Sequence, residues 1–399
     1  MMQVTESPHL HHEPPEAKTT RAPQQKSTMT LPPAGPAWAA AVMGSASLAQ
    51  VVEIYWGVSG AGHPAAVAWY FIATAMLVWI ITGFVRHRNP QFVPEHLPAW
   101  AMTAMGILAL SMATSVVLGW WWLHAVYWLI GTVLAFVVSI RYLSHLVHLP
   151  RAEYSSVNFT WSLPLLAPVV NAASAGMLAR HITDAGGNGT LSFLVHAIGV
   201  VGLLLVLVTA VPLLVAIYSG LGRKRLKIPR NFTTIYWIPL GLVGQATAAA
   251  QLLGRSEPWG SIAYGFGVVT MVIGIPVAII AATNHWPQVS RNSMAYNPTW
   301  WSCVFPLGTV VSGLSHMNNA SGQAVWIGIG NVLLLLLIVH WCWAFSVVCG
   351  MFSRGAASSK CLGPWTNYFC PTRHCRRPTH PSPNTTSTTN PPEATAAAL

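Results

Sequence analysis

The chain has 399 residues, of which 53% are hydrophobic and only 7% are charged, and its mean hydropathy is +0.50. Soluble domains carry about 25% charged residues, so this composition excludes a soluble protein and indicates an integral membrane protein. The net charge is +11, but the basic residues lie between long apolar segments, and we predict a lipid bilayer and no nucleic acid as partner.

Ten apolar segments are long enough to cross about 30 Å of hydrocarbon as helices. They are residues 37–55, 65–85, 99–118, 121–142, 162–179, 192–218, 233–253, 260–283, 300–317 and 324–350. All but two of the 20 Lys and Arg residues, Arg180 and Arg255, fall on one side of this topology. The positive-inside rule therefore predicts that both termini are cytoplasmic, and we expect the protein in the plasma membrane.

Polar tails flank the apolar segments. Residues 1–35 and 352–399 are rich in Pro, Thr and other polar residues without apolar periodicity, which predicts two disordered tails around one transmembrane domain at 36–351. Three cysteines lie in the second tail, Cys361, Cys370 and Cys375. Their spacing does not match a zinc site, and we predict neither a metal nor a cofactor.

The odd-numbered spans differ from the even-numbered ones in composition. Odd spans contain prolines, glycines, hydroxyls and amides, whereas even spans are mostly bulky and apolar. This alternation predicts an all-α polytopic fold of ten transmembrane helices, arranged as five hairpins in a quasi-fivefold arrangement around a central pore. Odd helices would lie inside and even helices outside. An ordinary bundle, in which small residues only permit close helix contact, is the alternative.

The ninth span contains the strongest pore signal. Pro306 and Gly308 lie in its middle, and a proline there removes a backbone hydrogen bond and kinks the helix. In lipid, the freed carbonyl needs a partner in protein or in a water-filled cavity, so this span should face a pore, with Phe305 just before the break. The other residues predicted to line the pore or break its helices are Gly44, Ser45, Pro164, Pro168, Asn171, Pro239, Gly241, Gln245, Ser302 and Thr309.

The distribution of charge favours anions. No Asp, Lys or Arg lies in the middle of any predicted span, whereas broken helices aim their positive dipole ends into a cavity and the predicted cytoplasmic mouth is basic. Glu53, at the edge of the first span, and His340, in the tenth, are candidates for coupling transport to protons. A membrane redox protein would need facing histidine ligands, for which His196 and His340 are the best pair.

Four segments resemble the tellurite-resistance/dicarboxylate transporter family. Residues 300–308, Trp-Trp-Ser-x-x-Phe-Pro-x-Gly, are similar to its ninth-helix signature, and residues 43–45 resemble its Met-Gly-Thr-Gly, with Ser45 and Ala46 as departures. Residues 164–176 and 238–245 resemble its fifth and seventh helices. The family includes malic acid and C4-dicarboxylate permeases, sulfite efflux pumps and slow anion channels.

The resemblance implies the same ten-helix, five-hairpin fold, with Phe305 as an aromatic gate shaped by the kink at Pro306. It also implies a transporter rather than an enzyme, in a family whose members often form trimers, so a homotrimer is expected. We expect transport of C4-dicarboxylates such as malate or succinate. Export or passive conduction of sulfite or another small anion is the alternative, and a membrane redox protein with histidine ligands is a remote third.

Overall fold

The computed structural model describes residues 36–57, 60–87, 91–150, 154, 157–254, 258–290 and 298–355. This part of the chain contains no β-strand and forms ten α-helices. They are α1 Ala39–Val52, α2 His63–His87, α3 Leu97–Leu118, α4 Trp121–His148, α5 Leu163–Asp184, α6 Gly189–Gly222, α7 Ile238–Leu253, α8 Trp259–Ser290, α9 Val304–Ser321 and α10 Ala324–Gly355. The helix α10 passes the predicted domain boundary at 351, and the tails at 1–35 and 356–399 lie outside the described residues.

Seven of these helices are long and apolar enough to cross a membrane: α2, α3, α4, α5, α6, α8 and α10. The helices α1, α7 and α9 have 14, 16 and 18 residues. At 1.5 Å per residue, α1 covers about 21 Å, and a π-helical turn at Glu53–Gly57 extends it. The all-helical, polytopic membrane fold is thus confirmed, while crossing by all ten helices stays a prediction.

The odd-numbered helices are buried and the even-numbered ones are not. Every residue of α1 is buried, and the most apolar 18-residue window of α5 is 100% buried. The corresponding share is 28% in α2, α6, α8 and α10, whose outward side chains include Phe193 and Val208. The alternation in composition therefore corresponds to a difference in burial, with bulky apolar side chains on the surface that lipid would cover.

The odd helices also contact one another in a closed order. The helix α1 packs on α3, α3 on α5, α5 on α7, α7 on α9 and α9 on α1. Each even helix packs against the odd helix that precedes it, as in a hairpin. At the α7–α9 crossing a Cβ atom on Gly244 would clash with the backbone of Thr309 and Val310, so a glycine is needed for this close approach.

Each odd helix is preceded by a short 3₁₀ turn. These turns are Pro36–Trp38, Pro94–His96, Phe159–Ser162, Arg230–Trp237 and Pro298–Ser302. The helices α3, α5 and α7 then have a proline in their first two positions, where its missing N–H removes no helical hydrogen bond. The repeated 3₁₀-to-α transition fixes where each odd helix begins.

The first two of these helix starts also share sequence. Residues 36–39 and 98–101 both read Pro-Ala-Trp-Ala, and a Met-Gly pair follows at the same distance in each, at 43–44 and 105–106. The chain thus repeats one short sequence near the beginning of α1 and α3, as a 3₁₀ turn at Pro36–Trp38 and within the first turn of α3 at 98–100, and the repeat places a methionine in the first half of both helices.

Candidate functional site

A cavity lies among the first halves of the five odd helices. It has a volume of about 30 Å³. Its walls are Ala40, Met43, Met102, Met105, Leu163, Leu166, Val169, Val170, Ile238, Gly241, Leu242, Gln245, Trp301, Ser302, Phe305 and Pro306. Because α1, α3, α5 and α7 and the start of α9 all contribute, the cavity occupies the centre of the closed order of odd helices.

The cavity is apolar apart from two residues, Gln245 and Ser302, and none of its lining residues is charged. The side chain of Gln245 is buried, and its Nε2 has no hydrogen-bond partner among the described residues. Leaving a buried amide N–H unpaired costs free energy, about 1–3 kcal/mol in proteins. Gln245 therefore lines a mostly apolar cavity and has an unused amide donor, which suits an anion.

Phe305 lines the same cavity and is only 5% exposed. The sequence predicted a helix broken just after Phe305, but α9 begins at Val304 and Pro306 lies in its first turn. A proline in the first turn removes no helical hydrogen bond, so the helix does not break there. The interruption precedes Phe305, between the 3₁₀ turn Pro298–Ser302 and Val304.

Several polar groups predicted to line the pore instead contact even-numbered helices. The Nε1–H of Trp341 on α10 donates to Ser45 Oγ at 2.9 Å. The hydroxyl of Thr132 on α4 donates to Asn171 Oδ1 at 2.6 Å, and Ser139 on the same helix donates to the carbonyl of Pro164. These groups join the odd helices to the outer ones.

Other predicted pore residues lie at close helix contacts. A Cβ on Gly44 would lie 2.9 Å from Val304 Cγ1, and one on Gly308 would clash with the hydroxyl of Ser47 on α1.

The hydroxyl of Thr309 donates to the carbonyl of Pro306 at 2.7 Å, within α9. The carbonyl of Pro168 approaches Gly202 on α6, and Pro239 is the second residue of α7. Of the predicted set, the cavity wall contains Gly241, Gln245, Ser302, Phe305 and Pro306.

The two candidates for proton coupling lie away from the cavity wall. Glu53 is in the π-helical turn that follows α1, and its Oε2 is 2.9 Å from Nδ1 of His63. His340 lies on α10, which packs on α9 and α1, whereas His196 lies on α6, which packs on α5 and α7. The pair of histidines that a redox protein would need is therefore not formed by these two residues.

Sequence reasoning missed two groups of residues. In the cavity wall, Met43 and Met105 carried a signal in the Met-Gly pairs that follow the Pro-Ala-Trp-Ala repeat, whereas Met102 carried none. The buried residues His285 and Cys303, which lie near His340, carried none, because they come from segments far apart in the chain and share no spacing motif.

Comparison of the sequence with known proteins identifies the family to which this chain belongs. The sequence profile of the voltage-dependent anion channel family, SLAC1, matches residues 34–349. The chain is also similar to sulfite efflux pumps named SSU1. It is 25% identical to the pump of Arthroderma otae over 241 residues and 26% identical to the pump of Trichophyton rubrum over 253 residues. Both alignments cover 57% of this chain and 61% of the pump, so the chain spans about three fifths of those relatives. An uncharacterized transporter of Methanocaldococcus jannaschii is 22% identical over 273 residues, covering 67% of this chain and 78% of that protein.

Proposed function

The chain belongs to the voltage-dependent anion channel family, and from this premise we propose that it conducts or exports small inorganic anions, sulfite foremost, through the cavity among its odd helices. Membership makes the protein an integral membrane anion transporter or channel. The identity of the anion is the part that we propose.

The observation that carries the proposal is the unpaired amide donor of Gln245 in an otherwise apolar cavity. A malate or succinate dianion has two carboxylates and would need two groups of donors or a cation to replace its lost hydration. The wall offers one amide, one hydroxyl at Ser302 and no cation. A small anion with a single charge, such as the hydrogensulfite form of sulfite, needs fewer donors, so the geometry favours sulfite over the C4-dicarboxylates that the family resemblance led us to expect. The similarity to sulfite efflux pumps supports the same preference.

We further propose that all ten helices cross the bilayer, as five hairpins in a quasi-fivefold arrangement with the odd helices around a central pore. The closed order of contacts among odd helices, the five 3₁₀ turns at their starts and the repeated Pro-Ala-Trp-Ala motif all support this arrangement. A helix such as α1, too short on its own, would cross with the help of its π-helical turn.

Phe305 is the proposed gate. Its ring is a wall of the cavity, and a hydrophobic constriction blocks anions by excluding the water that hydrates them. In this proposal the helix starts, including Pro164, Pro239 and Pro306, position the cavity wall. The small and polar residues Gly44, Ser45, Pro168, Asn171, Gly308 and Thr309 shape the odd helices behind it.

Orientation, location and assembly are also proposed. The asymmetric distribution of Lys and Arg favours cytoplasmic termini in the plasma membrane. A homotrimer would bury part of the exposed apolar surface of the even helices. Chemical cross-linking in native membranes tests it: a ladder that ends at three copies supports the trimer, and one that ends at another number contradicts it.

The experiment that tests the function uses the purified protein in liposomes loaded with sulfite, with a voltage imposed by a potassium gradient and valinomycin. Release of sulfite is followed with a thiol-reactive dye, and parallel liposomes contain malate, succinate, nitrate or chloride. We expect sulfite release well above that of protein-free liposomes and faster than malate release. Saturable malate transport with sulfite release at the protein-free level would overturn the proposed substrate.

A further inference from the structure

Three potential metal ligands meet in the structure outside the cavity wall. They are His285 on α8, Cys303 directly before α9 and His340 on α10, and all three are buried. Their ligand atoms, one per residue, lie within 4.8 Å of one another. Around a shared ion, with metal–nitrogen bonds of about 2.0–2.1 Å and metal–sulfur bonds of about 2.3 Å, such atoms are about 3.3–4 Å apart. Side-chain rotations that move the ligand atoms by about 1 Å would bring them to these metal-bound distances.

His285 provides a second observation that indicates a ligand, because its buried ring has no hydrogen-bond partner in the described part of the chain. Its side chain is 0% exposed, and neither ring nitrogen has a hydrogen-bond partner among the described residues. Its ring lies edge-on to Trp237, with 6.4 Å between ring centroids, and 6.3 Å from the ring of Trp343. A neutral imidazole in such surroundings has an unused lone pair, and buried polar groups in proteins are normally paired.

His340 is oriented for ligation by its own helix. Its Nδ1 is 2.9 Å from the carbonyl of Leu336, and because a carbonyl only accepts, Nδ1 carries the proton. The lone pair is therefore on Nε2, which accepts a long hydrogen bond of 3.3 Å from Nε1 of Trp286. Metal-binding histidines are typically held in this way, with the other ring nitrogen donating to a carbonyl.

Cys303 supplies the third donor. Its Sγ is 2.9 Å from the carbonyl of Trp300, so the thiol proton points to the backbone. On metal binding this proton is released and the thiolate becomes the ligand.

We propose that His285, Cys303 and His340 form a binding site for Cu⁺. One thiolate and two imidazoles suit a soft ion. Cu⁺ with one thiolate is neutral overall, which reduces the cost of placing the complex in a buried site, whereas Zn²⁺ would leave a net charge of +1. Structural zinc sites also have four protein ligands, and the described residues bring three together here.

The surroundings fit this ion. The rings of Trp237 and Trp286 approach His340 to 5.9 and 6.3 Å between centroids. An apolar aromatic shell limits access of water, which protects a reduced ion, and bound copper would tie α8, the start of α9 and α10 together.

The test uses the full chain, purified in detergent, with Cys342, Cys349, Cys361, Cys370 and Cys375 replaced by serine so that Cys303 is the remaining thiol. The protein is loaded with Cu⁺ under ascorbate, weakly bound ion is removed with bicinchoninate, and copper is counted by mass spectrometry. We expect one retained copper that the additional change Cys303→Ser or His285→Gln removes. His196→Gln, on α6, is the matched control and should keep it.

X-ray absorption at the copper edge then identifies the ligands, and we expect one sulfur and two nitrogen neighbours. Equal copper in the parent and in both site variants would overturn the proposal, as would a spectrum without sulfur. Retention of Zn²⁺ but not of Cu⁺ would overturn the choice of ion. If a site variant elutes as an aggregate, the spectrum of the parent protein decides, because it requires no change at the site.

Discussion

In the proposed function, two side chains of the cavity wall would act on an anion by different physics. Gln245 has a buried amide donor without a partner among the described residues, so its proposed contribution is electrostatic and favours binding. Phe305 offers an apolar ring at the same cavity, so its proposed contribution is to exclude water and raise the barrier to passage. Variants at these two positions should therefore change anion flux in opposite directions.

Replacement of Phe305 by alanine should increase sulfite flux about tenfold, because a tenfold rate change needs only about 1.4 kcal/mol off the barrier. The measurement is the initial rate of release from proteoliposomes at equal protein content. Phe193→Ala is the matched control, since this phenylalanine on α6 is 68% exposed and should leave the rate unchanged. An unchanged rate in Phe305→Ala would remove the gate from the proposal.

Replacement of Gln245 by leucine should lower sulfite flux, because it removes the one amide donor of the cavity wall. A hydrogen bond to a charged group contributes about 1.5–3 kcal/mol, so the loss should be about 10- to 100-fold. The control is Gln323→Leu, at an exposed glutamine between α9 and α10. If the Gln245 variant elutes as a monodisperse protein and transports sulfite at the parental rate, the donor role is wrong.

The odd helices depend on how closely they approach and on where they begin. Gly244 lies where α7 crosses α9, and no side chain fits between it and the backbone of Thr309 and Val310. The 3₁₀ turn Pro298–Ser302 ends just before α9, which sets the position of Phe305 on the first turn of that helix. Spacing and starting point together position α7 and the start of α9, which both contribute to the cavity wall.

The change Gly244→Ala should destabilise the protein, because the added methyl group forces α7 and α9 apart. Overpacking of a well-packed contact costs about 1–3 kcal/mol. Thermal unfolding in detergent, followed by loss of the monodisperse peak, should occur at a lower temperature than for the parent. Gly265→Ala, in open space on α8, should not lower it. Equal unfolding temperatures for both variants would contradict the close contact.

For the whole molecule, the proposed topology requires that the three shorter helices cross the membrane. Seven helices meet the length and hydropathy of a spanning helix, and α1, α7 and α9 are not among them. Each of these three helices nevertheless packs against a helix that does: α1 on α3, α7 on α5 and α9 on α10. A helix that is surrounded by other helices faces protein instead of lipid, so it can cross a membrane with a lower mean hydropathy.

Cysteine labelling tests the crossing of α7. In a variant without its native cysteines, Arg225→Cys and Pro258→Cys place exposed thiols on either side of that helix. We expect a membrane-impermeant maleimide added to intact cells to label Pro258→Cys and not Arg225→Cys, because α7 separates the two loops. Labelling of both positions from the same side would mean that α7 does not cross and would reduce the number of spans.

Much of the fold could be predicted from composition, because lipid imposes strong constraints on it. Apolar length predicts spanning helices, and the alternation of small or polar with bulky segments predicted which helices are buried. The α1–α9 contact and the close crossing at Gly244 depend on tertiary packing, which the sequence does not express as a pattern. Pro306 shows where prediction from sequence fails. A proline within an apolar segment predicts a break in the helix, but α9 begins at Val304, so Pro306 lies in its first turn.

The sequence by itself therefore determined the class of the protein, its helical hairpins and the residue types of its buried helices, since these follow from hydropathy and local backbone chemistry. The tertiary structure decided which of those residues face the cavity. It turned Ser45 and Asn171 towards outer helices and left Gln245 with a free donor at the wall. It also brought His285, Cys303 and His340 together from distant segments. The physical reason is that the direction of a side chain depends on helix rotation and packing, which local sequence does not specify.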